Sequence, residues 1–234
     1  DEPARSLSRG TKLILTAPGS FKAIVFDFDG TLAELNIDFA GMRAAVLEMI
    51  SRYRIPTEGI MNLHILEMIE AANARLAHDF PDKAPTFSHA AHALIARIEI
   101  NAASRGTLLA GTKALLSELG RRSIRVGVVT RNCRAAVSRT FPDIDHYCQA
   151  VLTRDDTERV KPHPEHLKNA LSLLGELPTD AAMVGDHPLD IRLGKETGTF
   201  TIGVLSGHSP REALVGAGAD LILPDAASLL NHIP

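Results

Sequence analysis

Two aspartates, Asp27 and Asp29, close the apolar run A-I-V-F-D-F and lead directly into Gly30 and Thr31. Residues i and i+2 of an extended chain lie on the same side, so these two carboxylates converge on one small space. Such convergence is unfavourable without a reason, and two are available. A divalent cation lowers the repulsion, or one carboxyl holds a proton that it can give to a leaving oxygen and later withdraw from water. The other carboxylate can then act as a nucleophile, splitting one difficult displacement into two easier steps. Gly30 permits a sharp departure from the strand, and Thr31 positions Asp29 or caps the turn.

Three more polar groups stand at or beyond strand ends: Thr130 after V-G-V-V, Lys161 in V-K-P-H-P after the loop that follows Leu152, and Asp186 with Asp190 in G-D-H-P-L-D after A-M-V. Thr130, with the amides of Arg131 and Asn132, could hold anionic oxygens at the start of a helix. Lys161 precedes Pro162, which biases it toward an extended conformation and leaves its ammonium to offset negative charge at Asp27. Asp186 and Asp190 supply oxygens of the kind magnesium takes, together with water and substrate phosphate. Taken singly, each residue also has an ordinary reading: an Asp that ends a strand, a turn glycine, a Thr that caps a helix, a solvated Lys.

The elements that must position these groups are visible as periodicities. Ala23 to Phe28 is short and almost wholly apolar, as expected of a parallel strand buried on both faces. Between Ile37 and Ser104 the spacing turns helical: Phe39, Met42, Val46, Met49, Ile50 and Tyr53 form one stripe, Met61, Ile65, Met68, Ala72 and Leu76 a second. After the Pro81 to Pro85 break, Phe87, Ala91, Leu94 and Ile98 form a third. From Gly106 onward helices and buried strands alternate. Strands are expected at Arg125–Thr130, His146–Leu152, Ala181–Val184, Thr199–Val204 and Leu221–Leu223, with helices at Thr112–Leu119, Glu165–Leu174, Leu189–Thr197 and Arg211–Ala217. That rhythm predicts an α/β chain with a Rossmann-like open parallel sheet and a small all-helical domain inserted after the first catalytic strand. The expected division is an N-terminal extension at 1–20, a core at 21–35 and 106–234, and the insert at 36–105. Lys12 to Ala17 could form an extra edge strand.

Composition narrows the function. With 234 residues, 45% hydrophobic and 23% charged, the chain resembles ordinary globular proteins. A net charge of -3 without a Lys/Arg block argues against nucleic acid and anionic membranes as partners. Apolar stretches fall far short of the ~20 residues of a membrane span. Two cysteines, Cys133 and Cys148, are too few for a disulfide framework, so the cytoplasm is the expected location. The start at Asp1 without an apolar signal region reads as a trimmed end. His163 and His166, three apart with no nearby acidic third ligand, are a weak zinc pattern.

Together and in that order, D-F-D-G-T at Asp27–Thr31, V-V-T-R-N ending at Asn132, V-K-P-H-P from Val160 and G-D-H-P-L-D at Gly185–Asp190 resemble the four motifs of the haloacid dehalogenase superfamily. Within it the chain looks like the phosphoglycolate-phosphatase-like branch, where a helical cap sits between the first two motifs. The resemblance implies a phosphatase acting on a small phosphorylated metabolite, as a monomer or homodimer. It implies Asp27 as nucleophile and Asp29 as general acid/base. It places Gly30, Thr130, Arg131, Asn132 and Lys161 around the phosphate, and Mg2+ on Asp27, the Asp29 carbonyl, Asp186 and Asp190, the last directly, through water, or by fixing Lys161. His187 stands where relatives often have Ser or Thr. Dehalogenation is disfavoured because that branch lacks the second aspartate. Phosphomutase and phosphonatase activities stay open, as does a non-catalytic phospho-accepting or binding protein. A receiver domain, however, would carry its acceptor on a later strand of a more compact chain.

Overall fold

A computed structural model describes residues 21–233. The extension 1–20 and the expected edge strand over Lys12–Ala17 lie outside the described residues. In chain order the elements are β1 (Ala23–Phe26), β2 (Ala33–Glu34), α1 (Phe39–Arg52), α2 (Ile65–Asp79), α3 (Ala84–Ala103), β3 (Thr107–Leu108), α4 (Thr112–Arg121), β4 (Arg125–Val129), α5 (Arg134–Thr140), β5 (Ala150–Leu152), α6 (Glu165–Leu174), β6 (Ala181–Gly185), α7 (Pro188–Thr197), β7 (Phe200–Val204), α8 (Arg211–Gly216) and β8 (Leu221–Leu223).

Six strands form one parallel sheet in the order β5-β4-β1-β6-β7-β8. β1 is central, pairing Ala23 with Arg125 on one side and with Ala181 on the other. The chain builds outward from β1 through β4 to β5, then crosses back to build the other half. That reversal opens a crevice beyond the carboxyl ends of the central strands.

Both sheet faces are covered, which is why the strands read as continuous apolar runs. Ile24, Phe26, Val126, Val128, Ala182 and Val184 face one cluster. Ala23, Val25, Val129, Ala181 and Met183 face the other, against Leu167, Leu171 and Leu174 of α6 and Leu193 of α7. The first cluster takes Leu115, Leu116 and Leu119 from α4, Ala136 and Val137 from α5, and continues into the insert. Full burial of side chains such as Phe26 or Ile24 is worth roughly 1.5–3 kcal/mol each.

The insert is the three helices α1–α3, entered and left through the antiparallel ribbon β2–β3. Asp38 caps α1 by accepting the Gly41 N–H at 2.8 Å. Of the apolar stripes expected of the insert, Met42, Val46 and Ile50 on α1, Met68, Ala72 and Leu76 on α2, and Phe87 and Ala91 on α3 are buried, joined by Leu66, Ile69 and Ile95, whereas Phe39 and Met61 are exposed. α3 also lies along α5 of the core.

Two local expectations differ. The strand expected over His146–Leu152 is confined to Ala150–Leu152, because Ile144–His146 form a turn of 3-10 helix that buries Ile144. The ribbon β2–β3, two residues on each side, is too short to show a period in sequence. Among the described residues no helix is long and apolar enough to cross a membrane.

Candidate active site

The carboxyl ends of β1, β4 and β6 and the loop before α6 meet at the crevice. Asp27 follows β1 directly and stays in ladder register, its N–H donating to the Val184 carbonyl at 2.8 Å. Lys161 places its Nζ 2.5 Å from Asp27 Oδ1 and donates to Asp190 Oδ1 at 2.7 Å. Asp27, Asp186 and Asp190 bring carboxylate oxygens within 4.8 Å of one another, all three residues buried. Three segments far apart in the chain thus place three acids and one ammonium at one point.

This group is short of positive charge. Burial pushes the Asp27 pKa well above the carboxylate range, Asp190 and Asp186 add to the rise, and Lys161 offsets only part. Burial and the Asp190 charge likewise raise Asp186 to about 6. Burial works against the Lys161 ammonium as well, but Asp190 and Asp27 outweigh it and its pKa ends above the usual value. One permanent cation therefore serves a cluster that needs more, and a divalent ion would meet the deficit.

Asp29 lines the same cavity with its carboxylate outside the three-acid group, accepting the Leu35 N–H at Oδ1 (2.9 Å). Burial raises its pKa. Gly30 has φ +82°, and a Cβ there would lie 2.7 Å from the Asp186 carboxyl, so position and conformation both demand glycine. Thr31 does not turn toward Asp29 as one sequence reading had it. Its hydroxyl lies 3.5 Å from Asp186 Oδ1.

The loop after β4 differs from expectation in one respect. α5 begins at Arg134, so Thr130 does not abut a helix. The amides at that helix start are already engaged, Cys133 with Glu99 Oε2 and Arg134 with Asp155 Oδ2. Thr130 is buried and its Oγ1 accepts the Asn132 N–H at 3.2 Å. Thr130, Arg131 and Asn132 line the cavity beside Asp27, and the Arg131 guanidinium forks onto Glu67 of the insert. His187 fills the Ser/Thr slot by another route. Its Nδ1 accepts the Leu189 N–H while its backbone amide donates to Asp190 Oδ2, so it caps α7 and orients Asp190.

A cavity of about 410 Å³ lies between core and insert, floored by the aspartates and Lys161 and roofed by Phe39, Met42, Arg43, His64, Ile65 and Ile95. Among the polar residues of the insert, Arg43 and His64 line this cavity, His89 lines a separate groove, and Asn62 and Arg97 are exposed. Sequence reasoning missed the loop after β7. There Ser206 donates to the Gly30 carbonyl at 2.7 Å, His208 gives its N–H to Asp186 Oδ2 at 3.3 Å, and Gly207 presses against Asp186 so closely that no Cβ fits. Its signal was the one used elsewhere: polar residues closing an apolar strand.

Comparison with known proteins gives a consistent picture. A family model described as haloacid dehalogenase-like hydrolase matches residues 24–204. The pyrophosphatase PpaX of Bacillus pumilus is 29% identical over 216 residues, 90% of this chain and 95% of that protein. Among solved structures, a hydrolase from Pseudomonas syringae superposes with a TM-score of 0.67 at 22% identity, covering 90% of this chain and 97% of the other. CbbY from Rhodobacter sphaeroides, in complex with phosphate, gives 0.62 at 22% identity over 89% and 96%.

Proposed function

The chain belongs to the haloacid dehalogenase-like hydrolases and is an enzyme that hydrolyses phosphate esters, and from that premise we propose a magnesium-dependent phosphatase acting on a small phosphate monoester through an aspartyl-phosphate on Asp27. The observation that carries the proposal is the buried junction at which Lys161 joins Asp27 and Asp190 beside Asp186. Uncatalysed monoester hydrolysis is slow enough that accelerations reach ~10²¹-fold, so several groups must converge.

The donor set fits magnesium: oxygen only, clustered, and deficient in positive charge. Asp27, Asp186 and the Asp29 carbonyl would hold the ion, with Asp190 acting through water because its oxygens already engage Lys161 and His187. When bound, the ion supplies the neutralisation that lets a carboxylate approach a phosphate dianion.

In the first step an Asp27 oxygen attacks phosphorus and the bond to the leaving oxygen breaks. Asp29, whose raised pKa favours its protonated form, gives that oxygen its proton. Thr130 and the backbone at Arg131 and Asn132 steady the phosphoryl oxygens, and Lys161 balances their charge. In the second step Asp29 takes a proton from water, which attacks phosphorus, releasing inorganic phosphate and restoring Asp27. The helical insert, residues 36–105 against a core of 21–35 and 106–234, serves as a cap that excludes water and selects the leaving group. The curated pyrophosphatase relative makes inorganic pyrophosphate a comparison substrate. A cytoplasmic monomer or homodimer completes the reading, with Cys133 and Cys148 free and buried.

A panel of phosphate esters assayed for released phosphate, with magnesium and with excess chelator, tests the proposal. Asp27→Asn should be folded and inactive. Turnover retained in that variant would refute the nucleophile, and turnover in chelator would refute the metal.

A further inference from the structure

Glu67 on α2 enters the core at a point that none of the steps above uses. Its two oxygens take both ends of the Arg131 guanidinium, Nη1 at 2.7 Å and Nη2 at 2.6 Å. The same Nη1 donates to the Lys161 carbonyl at 2.6 Å. On the other side of the loop, Glu99 of α3 accepts the Cys133 N–H at 3.1 Å and pairs with Arg154 at 2.5 Å, and Arg154 donates to the Arg131 carbonyl at 2.9 Å.

The backbone around Thr130 and the backbone of Lys161 are therefore tied together through arginines that carboxylates of the insert hold. A forked pair fixes direction as well as distance. The two pairs differ in exposure. Glu99 and Arg154 keep 7% and 6% of their side chains exposed, Glu67 and Arg131 keep 30% and 20%. Both pairs join insert to core, and the Glu67–Arg131 pair is the more exposed of the two.

We infer that Glu67 is a positioning residue: acting through Arg131, it sets the Lys161 backbone and the Thr130 loop in the arrangement that receives the phosphoryl group. The inference rests on the phosphatase reading. It makes catalytic geometry depend on the seated insert, since the carboxylate that completes the link belongs to the cap and not the core.

The test is a double-mutant cycle with Glu67→Gln and Arg131→Gln, read as kcat/KM on the best ester and as calorimetric affinity for inorganic phosphate with magnesium. A misplacement of about 1 Å can cost 10²-fold, so each single variant should lose roughly tenfold in both readouts. The double variant should lose no more, because both changes break one link. Added salt should narrow the difference between the wild type and Glu67→Gln. Additive losses, or unaltered kcat/KM and phosphate affinity in Glu67→Gln, overturn the inference. A wild type that binds phosphate but cleaves no ester removes the phosphatase reading alone, with the affinities still judging Glu67. A wild type that binds no phosphate removes both.

Discussion

The ammonium of Lys161 and the carboxylate of Asp190 meet at 2.7 Å with side chains 5% and 1% exposed. A buried pair of this kind adds little net stability over an apolar replacement, yet losing one partner strands a charge at a cost of about 3–5 kcal/mol. In Asp190→Asn, however, Lys161 keeps Asp27 at 2.5 Å, so the loss of stability should stay below that cost while turnover falls by about 10² or more, because Lys161 loses the second anchor that aims it at Asp27. Urea unfolding and phosphate release measure the two effects. Stability within about 1 kcal/mol of wild type together with near-normal turnover would show the pair to be incidental.

Gly30→Ala probes the turn between Asp29 and Asp186. The left-handed conformation costs a residue with a Cβ about 1–2 kcal/mol, and the added methyl would press on the Asp186 carboxyl. Loss of stability on that scale should be accompanied by a weaker response to magnesium. A variant with unchanged magnesium affinity would mean that Asp186 does not reach the ion.

His166 gives the acid side of the stability profile a defined sign. Wholly buried, it accepts the Lys161 N–H at Nδ1 (3.0 Å) and pairs through Nε2 with the Leu152 carbonyl (3.1 Å), so the native ring is neutral. Burial first, and the Lys161 charge second, hold its pKa at about 4. An unfolded histidine titrates near 6.5, so between those values the unfolded chain binds a proton that the native state refuses. The stabilisation His166 supplies is thus present above pH ~6.5 and lost as pH falls toward 4, by about 3 kcal/mol in all. The aspartates titrate in both proteins, so the gap in unfolding free energy between wild type and His166→Gln should narrow from pH 7 to pH 4. A gap that stays constant would contradict the neutral ring.

Magnesium should raise the thermal midpoint, by an amount equivalent to about 2.7 kcal/mol at one hundred times the dissociation constant. Asp186→Asn should abolish that rise while leaving the midpoint without metal unchanged or higher, since one member of a crowded acidic group is neutralised. Scanning calorimetry with and without the ion decides it, and an equal rise in both proteins would place the ion elsewhere.

Asp27 and Asp186 were legible in the sequence because each follows an apolar run, as buried parallel strands announce themselves, and Lys161 and Asp190 through the motifs V-K-P-H-P and G-D-H-P-L-D. The same signal was present at Ser206 to His208, after Ile202–Val204, and went unread because those residues match none of the four motifs. The sheet and the three insert helices were legible for a similar reason: regular burial leaves a period of two or 3.6, or an unbroken run.

What no local pattern held was the partner of each side chain. Glu67 and Glu99 look like ordinary helix-surface charges, and Arg131 like a phosphate ligand. The structure sends Glu67 to Arg131 across 64 residues and Glu99 to Arg154 across 55. Thr31, free in sequence terms to serve Asp29, lies instead by Asp186, 155 residues away. Composition and periodicity report whether a position is buried, which each residue's neighbours in the chain largely settle. Which charges meet depends on how separate elements dock, and the seating of the insert on the core decided that.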